Sequence, residues 1–568
     1  MVVVIDSRAD MAQERILMKK LKKYHIGVLV LSVIAVILLL WAIIATVYNF
    51  TGNRHTEHVV LEPRSKSARF RNAAAVADSN FCAEIARNII IQGGNAVDAA
   101  ISATFCNGVV LPYATGIGGG DFIVIYLKAE KKCVFLNSRE TAPSLATKNM
   151  YTSDKESAQF GYQSIGIPGE LHGLWTAYKK YGSKVIPWSD LVMPAAQLAK
   201  GFPMHQAMFN FLDRITKYKD RAEAQALKNL YTSKFSGEFY KVGEIVANYP
   251  LAKLLRVIAN SQDPVQLFYN GSIADGIIKE MLANGGIITI DDLRNYETHV
   301  TEALYADLGK YRMCGPPPPS SWVITQAIPR IVEMQYRDKK MFNDVEFYHT
   351  LIEAQKLAYA PAVLDSGTSQ ISVVDDDGNA VSLTSSINTA FGSKMLSKYG
   401  FIYNNQMDDF STPGFRNHWG FEPTEANFIV PGRRPMSSMS PTVVFNVENG
   451  DLKMVTGGTG GSKIISAVAQ TLIRGLLMGQ NAAEIEDRED VENAFDVEKL
   501  DDVEHVDDVE KLDEVEHKIL VQLEKDHNQK MEKTDESLAI VYPITNDGGV
   551  YTVASDYRRK SGNSPAGY

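Results

Sequence analysis

Cysteine is scarce: four occur in 568 residues, too few for a disulfide scaffold. A surplus of positive charge is also missing. The net charge is −9, which gives no sign of nucleic-acid binding. Most of that charge has one source. Residues 484–517 hold 17 Asp/Glu against 3 Lys/Arg, a local −14, which leaves +5 for the remainder. No nucleotide loop is complete either: Gly116-Ile-Gly-Gly-Gly-Asp121 is glycine-rich, but no Lys-Ser/Thr follows and no dinucleotide fingerprint forms. The length exceeds what one compact core usually spans, so an anchor plus one large or two closely packed domains is expected.

The strongest physical signal is Ile26–Tyr48, 23 residues without a charge. At about 1.5 Å per residue this run spans a hydrocarbon core of about 30 Å. It is too long for the apolar part of a signal peptide, and no small-x-small pattern ends it. Arg15, Lys19, Lys20, Lys22 and Lys23 flank it on one side and Arg54 on the other. The positive-inside rule then predicts a cytosolic tail over 1–25, a transmembrane helix over 26–48, a stalk over 49–71 and a body at the plasma membrane's outer face, a single-pass type II arrangement. Asn270-Gly271-Ser272 is a glycosylation sequon that suits an exported body; Asn49-Phe50-Thr51 is another, but close to the bilayer.

From Ala73 the chain reads as globular. Cys82 to Cys106 carries apolar residues at helical spacing, broken at Gly93-Gly94-Asn95. The two cysteines either pair in an oxidising compartment or stay as buried thiols. Phe122 to Phe135 predicts a β-hairpin, and residues 170–360 read mostly as amphipathic helix around the Gly315–Pro319 loop. Residues 370–404 return to strands, with a turn at Asp377-Gly378-Asn379. Pro441–Phe445 and Leu452–Thr456 form another pair around Asn449-Gly450. Helix and strand do not alternate strictly, which argues against a doubly wound parallel sheet. In 484–517 Val-Glu recurs with a period of six, which makes no helical stripe; a solvated low-complexity insertion is expected.

The chemistry centres on Ser366-Gly367-Thr368-Ser369-Gln370 ahead of a strand. A hydroxyl behind a glycine is arranged for self-cleavage: it attacks the unhindered glycine carbonyl. Cleavage frees the Thr368 α-amine, whose ordinary pKa of about 7.7–8.0 lets it accept the proton of its own hydroxyl. Alone, Gly-Thr before a strand means only a turn; the surroundings add to it. Asn137-Ser-Arg139 puts a bidentate carboxylate binder after a strand. Asn404-Asn405-Gln406-Met407-Asp408-Asp409 clusters amides with acids, suited to an ammonium. Ser437-Ser438 offers paired hydroxyls, and Thr456-Gly457-Gly458-Thr459-Gly460-Gly461 offers backbone N–H groups for an oxyanion.

These motifs, in this order, resemble the γ-glutamyltransferase (glutathione hydrolase) family of N-terminal nucleophile hydrolases, from about Ala73 to Gly479 and again over Thr552–Arg558 and Ser564–Tyr568. Gly94–Ala100, Tyr162–Gly173 and Leu357–Ala360 also match. The resemblance implies an α+β fold of four αββα layers, and a chain cut into a large subunit (72–367) and a small one (368–568) that stay together as a heterodimer. It implies Thr368 as nucleophile and base, with Ser386 in place of the family's usual threonine beside it. Arg139, Ser437 and Ser438 would bind the α-carboxylate, Asn388, Gln406 and Asp409 the α-ammonium, and Gly460 and Gly461 the oxyanion. Cys82 and Cys106 match a cysteine pair of animal-type members. The implied substrates are glutathione and other γ-glutamyl compounds, with amino-acid or dipeptide acceptors, and no metal or organic cofactor is implied.

Two departures from the family stand out. Only seven residues separate Ala360 from Thr368, where the family has several tens. The acidic repeat replaces an ordered stretch. An uncut pseudoenzyme and an amidase for another acyl group are therefore the competing readings.

Overall fold

The computed structural model describes Met18 and residues 67–218, 221, 224–336, 344–359, 368–415, 422–486, 522–523, 525–527, 539–556 and 564–568. The expected transmembrane helix at 26–48, the segment 361–367 and residues 487–517 of the acidic insertion lie outside these. Among the described residues no helix is long and apolar enough to cross a membrane. Apart from Met18, everything below belongs to one compact unit, 63–568.

Two antiparallel seven-stranded sheets form its centre. The strands are β1 Ser67–Phe70, β2 Ala74–Ala77, β3 Gly120–Leu127, β4 Lys132–Ser138, β5 His299–Glu302, β6 Leu304–Leu308, β7 Tyr311–Gly315, β8 Thr368–Val374, β9 Ala380–Ser386, β10 Thr442–Asn446, β11 Leu452–Thr456, β12 Ile544–Asp547, β13 Val550–Ala554 and β14 Ala566–Gly567. One sheet runs β1-β13-β12-β11-β10-β7-β6, the other β14-β2-β8-β9-β3-β4-β5. The second interleaves strands from before and after position 368. The expected hairpins appear as β3–β4, β8–β9 and β10–β11.

Strand alternation sorts the side chains of the second sheet. Phe122, Val124, Tyr126, Phe135 and Val374 enter a core shared with Val443, Val455, Tyr551 and Val553 of the first sheet. Ile123, Ile125, Ile371, Val373, Val381 and Leu383 enter a core with the helices. Those helices are α1 Asn80–Ile91, α2 Ala96–Val110, α3 Glu170–Tyr181, α4 Trp188–Leu198 and α5 Tyr249–Ala259. Helices α6 Trp322–Tyr336 and α8 Ile464–Leu476 cover the first sheet, through Trp322, Val468 and Leu472 against Val444 and Met454, and α7 Asp344–Tyr359 packs on both of them. The layers are therefore helix, sheet, sheet, helix. The Gly93-Gly94-Asn95 break separates α1 from α2, and Asn95 caps α2 in a box with Asp98.

One expectation is extended, one corrected and one decided. The stretch 170–360 is mostly helix as expected but also contains strands β5–β7, because long-range pairing overrides local pattern in such short segments. Residues 387–404 are not a strand pair: Asn388, Phe391 and Lys394 are left-handed, and only an isolated bridge, Leu396 with Ile402, remains. Cysteine pairing is complete. Cys82–Cys106 joins α1 to α2, which closes the free-thiol alternative, and Cys133–Cys314, not foreseen, joins β4 to β7 across the two sheets.

Candidate active site

The site forms at one end of β8, β9, β3 and β4. Register sets its first row: Thr368 lies opposite Ser386, and Ser386 opposite Gly120. Asp121 pairs with Ser138, so Arg139 follows in line with Gly120. Three strand spacings put about 14 Å between the Thr368 and Arg139 backbones. The glycines of 116–120 serve this packing. A Cβ on Gly119 would lie 2.1 Å from the Ser386 carbonyl oxygen, and one on Gly118 2.1 Å from that of Ile402. The run lets backbones touch and does not cradle phosphate.

Thr368 is 2% exposed. Strand β2 pairs with β8 only from Ile371 to Val374. Beyond that, Asp78 takes over: its Oδ2 accepts from Gln370 N at 2.8 Å and Ser369 Oγ at 2.9 Å, and its Oδ1 from Tyr542 OH at 2.9 Å. Asp78 was not singled out in the sequence, because its partners are 291 or more positions away.

Arg139 is fully buried and paired with Asp409, Nη2 to Oδ2 at 2.5 Å. Its guanidinium also donates to the carbonyls of Met436 (2.9 Å) and Pro435 (3.4 Å), which places it beside Ser437 and Ser438, both buried. Asn427, another unforeseen residue, ties the halves together. Its amide donates to the Asp409 carbonyl at 2.7 Å and accepts from Met436 N at 3.1 Å. Gln406 donates to Asp409 Oδ2 at 2.5 Å, and its backbone is pinned by Asn404. Asn388 is left-handed, with φ of 72°, and donates to the Asn405 carbonyl. The buried acceptors Asn388 Oδ1 and Gln406 Oε1 have no hydrogen-bond partner among the described residues. Lys394 closes this loop, donating to Thr389 Oγ1 at 2.9 Å and the Gly392 carbonyl at 2.7 Å. Burial pushes its pKa down to about 7.

Gly460 and Gly461 take φ of 120° and 69° just before α8. The neighbouring Gly458-Thr459 packs against β8. Backbone N–H groups near a helix start suit a developing negative charge. Asn270 stands apart, exposed between two helices, its amide oxygen accepting from Arg294 Nε.

Two packed sheets between helical layers, with a hydroxyl residue heading a central strand, define an N-terminal-nucleophile-hydrolase-like α+β protein. A cephalosporin acylase from Bacillus halodurans shares this fold, with a TM-score of 0.73 at 20% identity over 91% of this chain and 99% of that one. The family profile described as Gamma-glutamyltranspeptidase matches residues 82–364 and 361–566. Scoloptoxin SSD14 of Scolopendra dehaani is 35% identical, over 74% of this chain and 81% of its own length. Glutathione hydrolase 3 of Arabidopsis thaliana is 33% identical, over 73% and 71%. The chain belongs to the γ-glutamyltranspeptidase family of enzymes.

Proposed function

We propose that this protein is a γ-glutamyltransferase and glutathione hydrolase that activates itself by cutting before Thr368. The observation that carries the reading is the buried Arg139–Asp409 pair, set in line with Thr368. A γ-glutamyl group carries an α-carboxylate and an α-ammonium. It replaces both halves of that ion pair at once, the carboxylate taking Arg139 with Ser437 and Ser438, the ammonium taking Asp409 with the acceptor oxygens of Gln406 and Asn388. The gap between Arg139 and Thr368 suits a glutamyl chain plus an extended arginine.

In activation, Thr368 Oγ1 attacks the Gly367 carbonyl, the acyl group shifts from nitrogen to oxygen and frees the Thr368 amine, and water then cleaves that ester to give the Gly367 carboxylate and the Thr368 hydroxyl. In turnover that amine takes the hydroxyl proton as Oγ1 attacks the γ-carbonyl. Gly460 and Gly461 amides receive the oxyanion, and Ser386, opposite Thr368, donates to the nucleophile. The leaving amine collects the proton and departs, leaving a γ-glutamyl ester on Thr368. Water or an acceptor amine then takes the acyl group. Residues 26–48 anchor the protein in the plasma membrane with this body outside, and the exposure of Asn270 supports its glycosylation there.

N-terminal sequencing of the purified protein on a denaturing gel, with γ-glutamyl anilide turnover, tests the reading. A fragment beginning Thr-Ser-Gln-Ile-Ser together with turnover supports it. One uncut, silent chain sinks it, and cleavage with turnover of only non-glutamyl amides reassigns the substrate.

A further inference from the structure

Immediately behind the first row lies a second one, on the helix-facing side of the same sheet. Register places Ser369 opposite Ser385, Ser385 opposite Asp121 and Asp121 opposite Ser138. All four are buried. A row of polar side chains is unusual in a helix–sheet interface, where each needs a partner. Ser369 uses Asp78 and Asn107. Ser138 donates to Asp121 Oδ1. Ser385 meets Thr115, from the loop after α2, and Glu170, in the first turn of α3.

The last three groups close a triangle. Ser385 Oγ lies against Glu170 Oε2, Thr115 Oγ1 is 3.1 Å from the same oxygen, and the two hydroxyls are 2.5 Å apart. Three contacts need three hydrogens, and two hydroxyls supply only two. With an ionised carboxylate both hydroxyl hydrogens point at Glu170, and the Thr115–Ser385 contact becomes lone pair against lone pair. A carboxylic acid supplies the third hydrogen. The surroundings favour the same state. The titratable groups that feel Glu170 are Asp121 on β3, itself beside Glu140, and Tyr269, none of them a cation. A cavity of about 20 Å³ beside it is lined by Phe105, Val109, Leu251, Leu255 and Ile402, so no counter-charge comes from that side. Besides the two hydroxyls, only the Gly116 backbone N–H reaches the carboxyl among the described residues. Burial, opposed by the Ser385 and Thr115 hydroxyls and the Gly116 backbone N–H, pushes the Glu170 pKa up to about 7.

We propose that Glu170 is held as a neutral acid and is a positioning residue for the nucleophile hairpin: its proton closes the ring that fixes Ser385, and so the end of β9 that sets Ser386 opposite Thr368. Glu170 touches neither substrate nor nucleophile. Its loss acts through strand placement, and ionisation opens the ring and loosens that end of the sheet.

The test compares Glu170→Gln, Glu170→Ala and the unaltered full-length protein. With its NH2 in the place of Oε2, Gln donates to both hydroxyls, and one hydroxyl hydrogen closes the Thr115–Ser385 contact. Melting temperature against pH reads the proton without any assay. The folded state holds a proton that the unfolded chain loses at about 4.5, so stability falls as pH rises from there through about 7. The expected result is a melting temperature that declines with pH relative to Glu170→Gln between about pH 5 and pH 8; parallel curves overturn the proposal. The activity arm rests on the proposed γ-glutamyl reaction. Glu170→Ala should lower kcat roughly 10–100-fold with KM nearly unchanged. Glu170→Gln should restore it and remove a fall in kcat above about pH 7. A Glu170→Gln variant as slow as Glu170→Ala overturns the positioning role. An unaltered protein silent on γ-glutamyl anilide counts against the function, while the melting curves still judge the proton.

Discussion

At the scale of single residues, the Arg139–Asp409 pair has two consequences. Both groups are out of water, so removing one charge strands the other. Asp409→Asn should cost about 3–5 kcal/mol of stability, the usual penalty for breaking a buried pair, and raise KM. Urea unfolding beside steady-state kinetics checks both. Arg139→Lys keeps the charge but loses the fork that reaches Asp409 and the Met436 carbonyl together. We expect KM to rise roughly 10–100-fold, with kcat less affected. Lys394 offers a titration of opposite sign to Glu170. Its folded pKa is lowered to about 7. Between there and about 10.4 the unfolded chain holds the extra proton, so stability rises with pH over that window. Melting curves of Lys394→Met should show a flatter rise than the unaltered protein.

At the scale of elements, the front of β8 depends on a side chain where a neighbouring strand has run out. Asp78→Ala leaves the Gln370 N–H buried without its acceptor, and that loss alone costs about 1–3 kcal/mol. Chemical denaturation reads the stability, and a fall in kcat accompanies it as Thr368 loses its place. The hairpin itself was plain in the sequence: a run of Ile-Ser-Val-Val, an Asp-Gly-Asn turn, then an alternating return. So were the glycine turn before α8 and the ion-pairing residues, because each is a local signature. Asp78, Asn427 and the Glu170 triangle were not legible. Each depends on a polar residue whose meaning comes from partners 9 to 464 positions away. Strands β5–β7 were hidden for a related reason. His-Val-Thr-Glu at the sheet edge is largely exposed, so burial leaves no apolar pattern to read.

At the scale of the whole molecule, Cys133–Cys314 joins the two sheets and closes a loop of 181 positions. Replacing both cysteines with serine should lower stability by about 2–4 kcal/mol, read as a reduced melting temperature. The two pieces should still migrate together under native conditions, since the second sheet holds β2 and β3 on one side of the cut and β8 and β9 on the other. Four cysteines without a spacing motif gave no means of choosing this partner for Cys133.

With the proposed cut before Thr368, that interleaving would make the order of events irreversible. In the intact chain β2 finds β8 as one molecule closing on itself. After a cut before Thr368 the same strands belong to separate polypeptides, and their meeting becomes a second-order encounter that slows with dilution. A protein cut in this way holds its fold only while its two pieces stay together: once they part, the covalent link that brought β2 to β8 is gone.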